Sequence, residues 1–236
     1  MKKIILSTIT IFTLLLPKSY ANEEFLKDGN NFSSPGYVYH NANKKADSNE
    51  LIENSNDNKI VPYFVPWDFN RSLSVPYRRQ INGYYCGPAS VQMVVDYYKH
   101  NPDKDQNYYA SKLGTTKQGT AYDMIEKVLN EHIWSYKYDV YMSNNNFQDF
   151  LDSAYYSIKN RAPIVVNMRS DVGIGKGSWI YSVSGHYIVV SSMRYDSSMK
   201  KFVGDIKDPW HRNGQYQETY PHIFNVMLAN KGVMIH

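Results

Sequence analysis

Cys86 is the only cysteine of the chain and stands in the run Gln80-Ile81-Asn82-Gly83-Tyr84-Tyr85-Cys86-Gly87-Pro88-Ala89-Ser90. A thiol does chemistry as its thiolate, so the local setting decides whether the residue is reactive. Pro88 suits the first turn of a helix, where its missing N–H is not needed. Cys86 then falls at the helix N-terminus, where unpaired backbone N–H groups and the helix dipole favour a negative charge. Gly87 leaves space for a substrate to approach the sulfur. Gln80 lies six residues upstream, where a loop can fold its amide back beside the thiol. With the Cys86 backbone N–H it could donate to a tetrahedral oxyanion. The ordinary role of a lone cysteine is a buried helix cap. The upstream Gln, the following Gly-Pro and the export features described below favour nucleophilic chemistry here.

A nucleophilic cysteine needs a base and an orienting group. Of the seven histidines, His186 is the best placed: it follows Gly185 and opens the apolar run Tyr187-Ile188-Val189-Val190. Asp208 lies 22 residues further on, in Asp208-Pro209-Trp210, at the end of the next expected strand. Two neighbouring strands would bring its carboxylate to the imidazole and hold the ring's orientation and tautomer. Taken alone, Asp-Pro is a plain turn. His211 competes as base but falls in a loop with no strand to fix it.

The order Gln, Cys-Gly-Pro, Gly-His-Tyr with an apolar strand, then Asp-Pro resembles the papain-like cysteine peptidases related to the double-glycine leader peptidases of bacteriocin exporters. The resemblance runs from about Val75 to Trp210 and rests on short motifs in a specific order. It implies Gln80 as oxyanion donor, Cys86 as nucleophile, His186 as general base and acid, and Asp208 as orienter. It also implies that Trp210 shields the orienting hydrogen bond from water. The leader peptidases are fused to a transporter inside the cell, so their double-glycine preference is not carried over. The Ser170 to Gly185 loop, with Gly173, Gly175, Gly177 and Trp179, is expected to wall the cleft. The expected substrate-contacting positions are Gly87, Gly185, Trp179 and Trp210.

The elements that must position these groups follow from periodicity. Pro88 to His100 carries Val91, Val94, Val95 and Tyr98 on one stripe and predicts a helix. A second helix is expected over Ala121 to His132, capped by Thr120 with Asp123, and a third over Asn146 to Asn160. Trp134 to Met142 alternates as a strand does, and Pro163 to Met168 reads as a buried strand. His186 to Val190 and Phe202 to Ile206 are expected strands, joined through a turn near Asp196 to Met199. A helix from Pro221 to Ala229 and a strand over Gly232 to Ile235 close the domain. Val61 to Trp67 and Val75 to Tyr77 read as extended, proline-punctuated lead-in segments. Helices first and an antiparallel sheet later predict one α+β domain over residues 60–236. In papain-like terms, the helical part carrying Cys86 packs on the sheet.

The N-terminus carries different information. Lys2 and Lys3, the apolar run Ile4 to Leu16, and Ser19-Tyr20-Ala21 make a secretory signal with cleavage expected after Ala21. Residues 1–21 are therefore set apart from the fold, and the destination is periplasm, envelope or medium, with no membrane insertion once the signal is removed. Asn22 to Lys59 is too polar to offset its ordering entropy and reads as a linker or propeptide.

The formal charge is +4, but without Lys2, Lys3 and Lys18 the chain has 23 basic and 22 acidic side chains. That balance gives no electrostatic case for nucleic acid. A single cysteine forms no internal disulfide. The Gly173-Ile174-Gly175-Lys176-Gly177 run lacks the setting of a phosphate loop, and the histidines lack metal-ligand spacing. Neither cofactor nor metal is expected. The expected partner is a peptide or protein substrate; oligomeric state is open. Three functions fit the site: a peptidase; a transglutaminase, deamidase or amidase using the same thioester chemistry on protein or peptidoglycan amides; and a binding module that keeps the cleft without catalysis.

Overall fold

The computed structural model describes residues 65–99, 104–176, 179–210 and 214–236. The expected signal, the polar segment, the beginning of the lead-in, and His100, Gly177 and His211 lie outside the described residues. In the described part, α1 (Cys86–Lys99) is followed by α2 (Gln106–Leu113), α3 (Tyr122–His132) and α4 (Phe147–Lys159), and α5 (Tyr220–Ala229) comes near the end. The strands are β1 (Asn70–Ser72), β2 (Val140–Met142), β3 (Ile164–Met168), β4 (His186–Val190), β5 (Ser192–Asp196), β6 (Lys201–Lys207), β7 (Gln215–Thr219) and β8 (Val233–Ile235). The sheet is ordered β1-β5-β6-β4-β3-β8-β2, with β7 on β6, and its pairings are antiparallel. The expected α+β organisation is the one found.

α1 forms because Val91, Met93, Val94 and Val95 give it an apolar side, and these residues are fully buried. It packs against β4 as well as α2 and α3, and Ser90 Oγ donates to the Tyr187 carbonyl (3.5 Å). β3 and β4 are buried at every residue, as strands covered on both faces must be. Ser191 separates β4 from β5, so the two consecutive strands run along one edge of β6. Val189 and Val190 pair with Lys207 and Ile206, while Arg194 to Asp196 pair with Val203 to Lys201.

Several expected elements change in instructive ways. Thr120 does not cap α3; Ala121 occupies that position without a side-chain bond. The Thr120 hydroxyl instead bonds Thr115 Oγ1 (2.8 Å), and its carbonyl accepts from the Tyr187 hydroxyl (2.9 Å). The strand expected over Trp134 to Met142 shrinks to Val140–Met142. Asn130 takes both backbone groups of Tyr138, donating to its carbonyl (2.8 Å) and accepting from its N–H (2.7 Å). Trp134 is left 94% exposed. The turn at Asp196 forms, with Asp196 Oδ1 accepting from Ser198 and Met199 N–H, but β5 precedes it and was not expected. α2, β1 and β7 are likewise additional.

Candidate active site

Cys86 is the first residue of α1 and is half-buried. Its N–H belongs to the first helical turn, where no intrahelical acceptor exists. Gly87 faces Thr120 rather than open space: a Cβ there would collide with the Thr120 hydroxyl and its methyl-bearing carbon. The glycine lets the Thr120 segment close over the start of α1, a packing role.

The loop before Cys86 is held mainly by side chains. Arg78 pairs with the buried Asp96 of α1 (2.8 Å). Gln106 of α2 donates to the Arg79 carbonyl (2.7 Å) and accepts from the Ile81 N–H (3.0 Å), gripping the backbone on either side of Gln80. The Gln80 N–H donates to the Pro209 carbonyl (3.0 Å), tying this loop to the segment after Asp208. The Gln80 side-chain amide donates to the Asn82 carbonyl (2.7 Å), which commits one of its two protons. Its Oε1 is buried without a hydrogen-bond partner.

His186 opens β4 opposite Met168 of β3 and is 4% exposed. Its Nε2 lies 2.8 Å from Asp208 Oδ1, and Cys86 is close enough to contribute to its raised pKa. Asp208 follows β6 directly, has no exposed surface, and its N–H donates to the Gly214 carbonyl (2.7 Å). The Trp210 N–H donates to Asp208 Oδ1 (3.0 Å). Two tyrosine hydroxyls donate to Oδ2, Tyr181 at 2.7 Å and Tyr216 at 2.6 Å. An acceptor so surrounded is a carboxylate, so His186 Nε2 carries a proton and Nδ1 is the nitrogen left for the thiol.

Burial works against both charges, but the pairing outweighs it. Desolvation alone would lower the His186 pKa; the Asp208 charge and hydrogen bond, with a contribution from Cys86, leave it raised. Desolvation alone would raise the Asp208 pKa; the His186 charge and hydrogen bond, then Tyr216 and Tyr181, hold it well below the usual carboxylate range.

The expected Cys, His and Asp are therefore brought together, with Gln80 in the adjoining loop. Gly185 directly precedes His186, and Trp210 contributes its backbone N–H. Trp179 is buried and packs edge-on against Tyr216, with centroids 6.0 Å apart. Sequence reasoning missed Gln106, Tyr181 and Tyr216. Among 22 tyrosines no local pattern marks the two that reach Asp208. Among the described residues no group of three or more His, Cys, Asp or Glu could hold a metal ion.

Residues 72–230 match the Peptidase_C39 like family. No curated protein matches the chain at a significant level. The structure is similar to that of a C39-like peptidase from Bacillus anthracis, with 13% identity, TM-score 0.50, and coverage of 71% of this chain and 96% of that one. It is also similar to the peptidase domain of Streptococcus ComA, a bifunctional ABC transporter involved in quorum sensing (18% identity, TM-score 0.47, 69% and 96% covered). A third similar structure is the digestive procathepsin L 3 of Tenebrio molitor larval midgut (9% identity, TM-score 0.48, 74% and 71% covered). The chain belongs to the Peptidase_C39 like family and has its papain-like α+β fold, with helices that include the one bearing Cys86 followed by an antiparallel sheet.

Proposed function

We propose that the protein is an exported cysteine peptidase in which Cys86 is the nucleophile, His186 the proton carrier and Asp208 its orienter. The observation that carries this reading is the buried imidazole held at 2.8 Å by a carboxylate with several donors, next to a half-exposed cysteine at the start of α1. Family membership supports peptide bonds as the substrate class.

The chemistry follows from the placement. The Cys86 thiol gives its proton to His186 Nδ1 as the sulfur attacks the scissile carbonyl carbon, and the carbonyl oxygen becomes an oxyanion. The Cys86 N–H and the second Gln80 amide proton are the donors within this site for that charge. His186 passes the Nδ1 proton to the leaving amine, the C–N bond breaks, and a thioester remains. Water then gives a proton to Nδ1, attacks the thioester, and releases a carboxylic acid product with the thiol restored. Throughout, Asp208 keeps the Nε2 proton in place and steadies the imidazolium.

Export is supported by Lys2 to Ala21, and Asn22 to Lys59 is proposed as a linker or propeptide ahead of the domain. Recovery outside the cytoplasm of a chain beginning at Asn22 is the expected result; a chain retained inside with Met1 in place would contradict export. For catalysis, incubation with a defined peptide library in water enriched in ¹⁸O should give new C-termini carrying ¹⁸O, and none with Cys86→Ala. Amine incorporation without new C-termini would replace the peptidase reading with acyl transfer.

A further inference from the structure

We propose that Tyr181 and Tyr216 are positioning residues that hold Asp208 as an ionised, acceptor-only carboxylate and thereby fix which nitrogen of His186 carries the proton. The inference rests on the reading of His186 and Asp208 as base and orienter. The two hydroxyls come from separate parts of the chain, the loop between β3 and β4 and the strand β7, and converge on one oxygen. The other oxygen takes the Trp210 N–H and His186 Nε2. At least four donors converge on a carboxylate that offers roughly four lone-pair sites. Protonating Asp208 would aim an O–H at a donor and break at least one of these bonds. Without the hydroxyls, Oδ2 would be a buried oxygen stripped of two donors, and the neutral acid would gain ground.

Both tyrosines are themselves held. Tyr216 has Trp179 edge-on against its ring. The Tyr181 carbonyl accepts from Ser170 Oγ (2.7 Å), and its ring lies edge-on to His186 with centroids 6.1 Å apart. Burial, with the Asp208 charge beside them, raises the pKa of both hydroxyls, so each remains a donor across the pH range of a folded protein. Asp208 is thereby prevented from offering a proton to Nε2, and Nδ1 remains the nitrogen that exchanges with the thiol. A tyrosine kept only for packing would need its ring; this role needs its hydroxyl.

The test is titration of the Asp208 side-chain carbon by NMR in the full chain, labelled at aspartate carboxyls and assigned with Asp208→Asn. The Asp208 signal of the native chain should stay ionised down to acid unfolding. Tyr181→Phe and Tyr216→Phe, which keep the rings, should each raise its midpoint by about one pH unit, the value of one charged hydrogen bond. The double variant should bring protonation into the folded range. An Asp208 midpoint unmoved in the double variant would overturn the proposal, whatever happens to melting temperature. If one single variant fails to fold, the other still decides. Because the readout is not turnover, failure of the native chain to cleave peptides would count against the proposed function alone.

Discussion

The two ends of the candidate site are built differently. At the thiol end, Cys86 is half-exposed at a helix start, and the loop leading to it is held by side-chain bonds from Gln106 and Arg78. At the imidazole end, His186 and Asp208 are buried, and each oxygen of the carboxylate has at least two donors. In the proposed mechanism the open end is where the substrate enters. In the same mechanism the closed end holds charge and proton position in place beforehand. Removing the reacting atom of the open end should therefore cost activity alone, and removing the charge of the closed end should cost activity and stability together.

The largest expected effect is on that split. Cys86→Ser should lower peptide cleavage by at least about 10³-fold while changing stability by less than about 1 kcal/mol. Asp208→Asn should lower cleavage by about 10⁴-fold, as expected when the tautomer is no longer held. It should also destabilise the fold by about 1–3 kcal/mol, because buried tyrosine hydroxyls and His186 lose a charged partner. Chemical denaturation beside a peptide assay measures both; equal stability loss in the two variants would erase the contrast.

The next effect is on pH dependence. Asp208 has a lowered pKa, so its contribution to stability is present above the ordinary value of 3.8 and is lost as pH falls through the folded-state value. His186 has a raised pKa, so its contribution is complete below 6.5 and is lost as pH rises through the folded-state value. Melting temperature should thus be highest on the plateau between these limits, and Asp208→Asn should flatten both flanks. Unchanged flanks would place the titrating groups elsewhere.

Smaller effects sharpen the thiol end. Gly87→Ala should destabilise by about 1–3 kcal/mol through overpacking against Thr120, seen as a lower melting temperature. Gln106→Leu should loosen the Gln80 loop and lower kcat by about 10-fold, with the pH profile of the remaining activity unchanged. A shifted profile would mean that Gln106 acts on the imidazole end instead.

Much of this contrast could be read from the chain before folding. The Cys-Gly-Pro start, the Val91/Val94/Val95 stripe and the apolar run after His186 are local patterns, and α1 and β4 follow them closely. Asp208 was legible because a strand pair fixes what stands at its end. Thr120 misled because its capping hydroxyl was taken by Thr115, and Trp134 to Tyr138 misled because an asparagine side chain replaced a strand partner. Gln106, Tyr181 and Tyr216 were not legible at all. Their roles depend on bonds to groups 8 to 27 residues away in sequence, and no spacing rule connects them.

The most direct test of the account is intact-mass measurement of the full chain exposed to a peptidyl epoxide, with the adduct mapped by fragmentation and His186→Ala run in parallel. The account predicts a single adduct on Cys86 that forms about 10²–10⁴-fold more slowly in the His186 variant, the usual range for a positioned proton carrier. Equal rates in the two proteins would show Cys86 to be an ordinary thiol and would contradict the site as a whole.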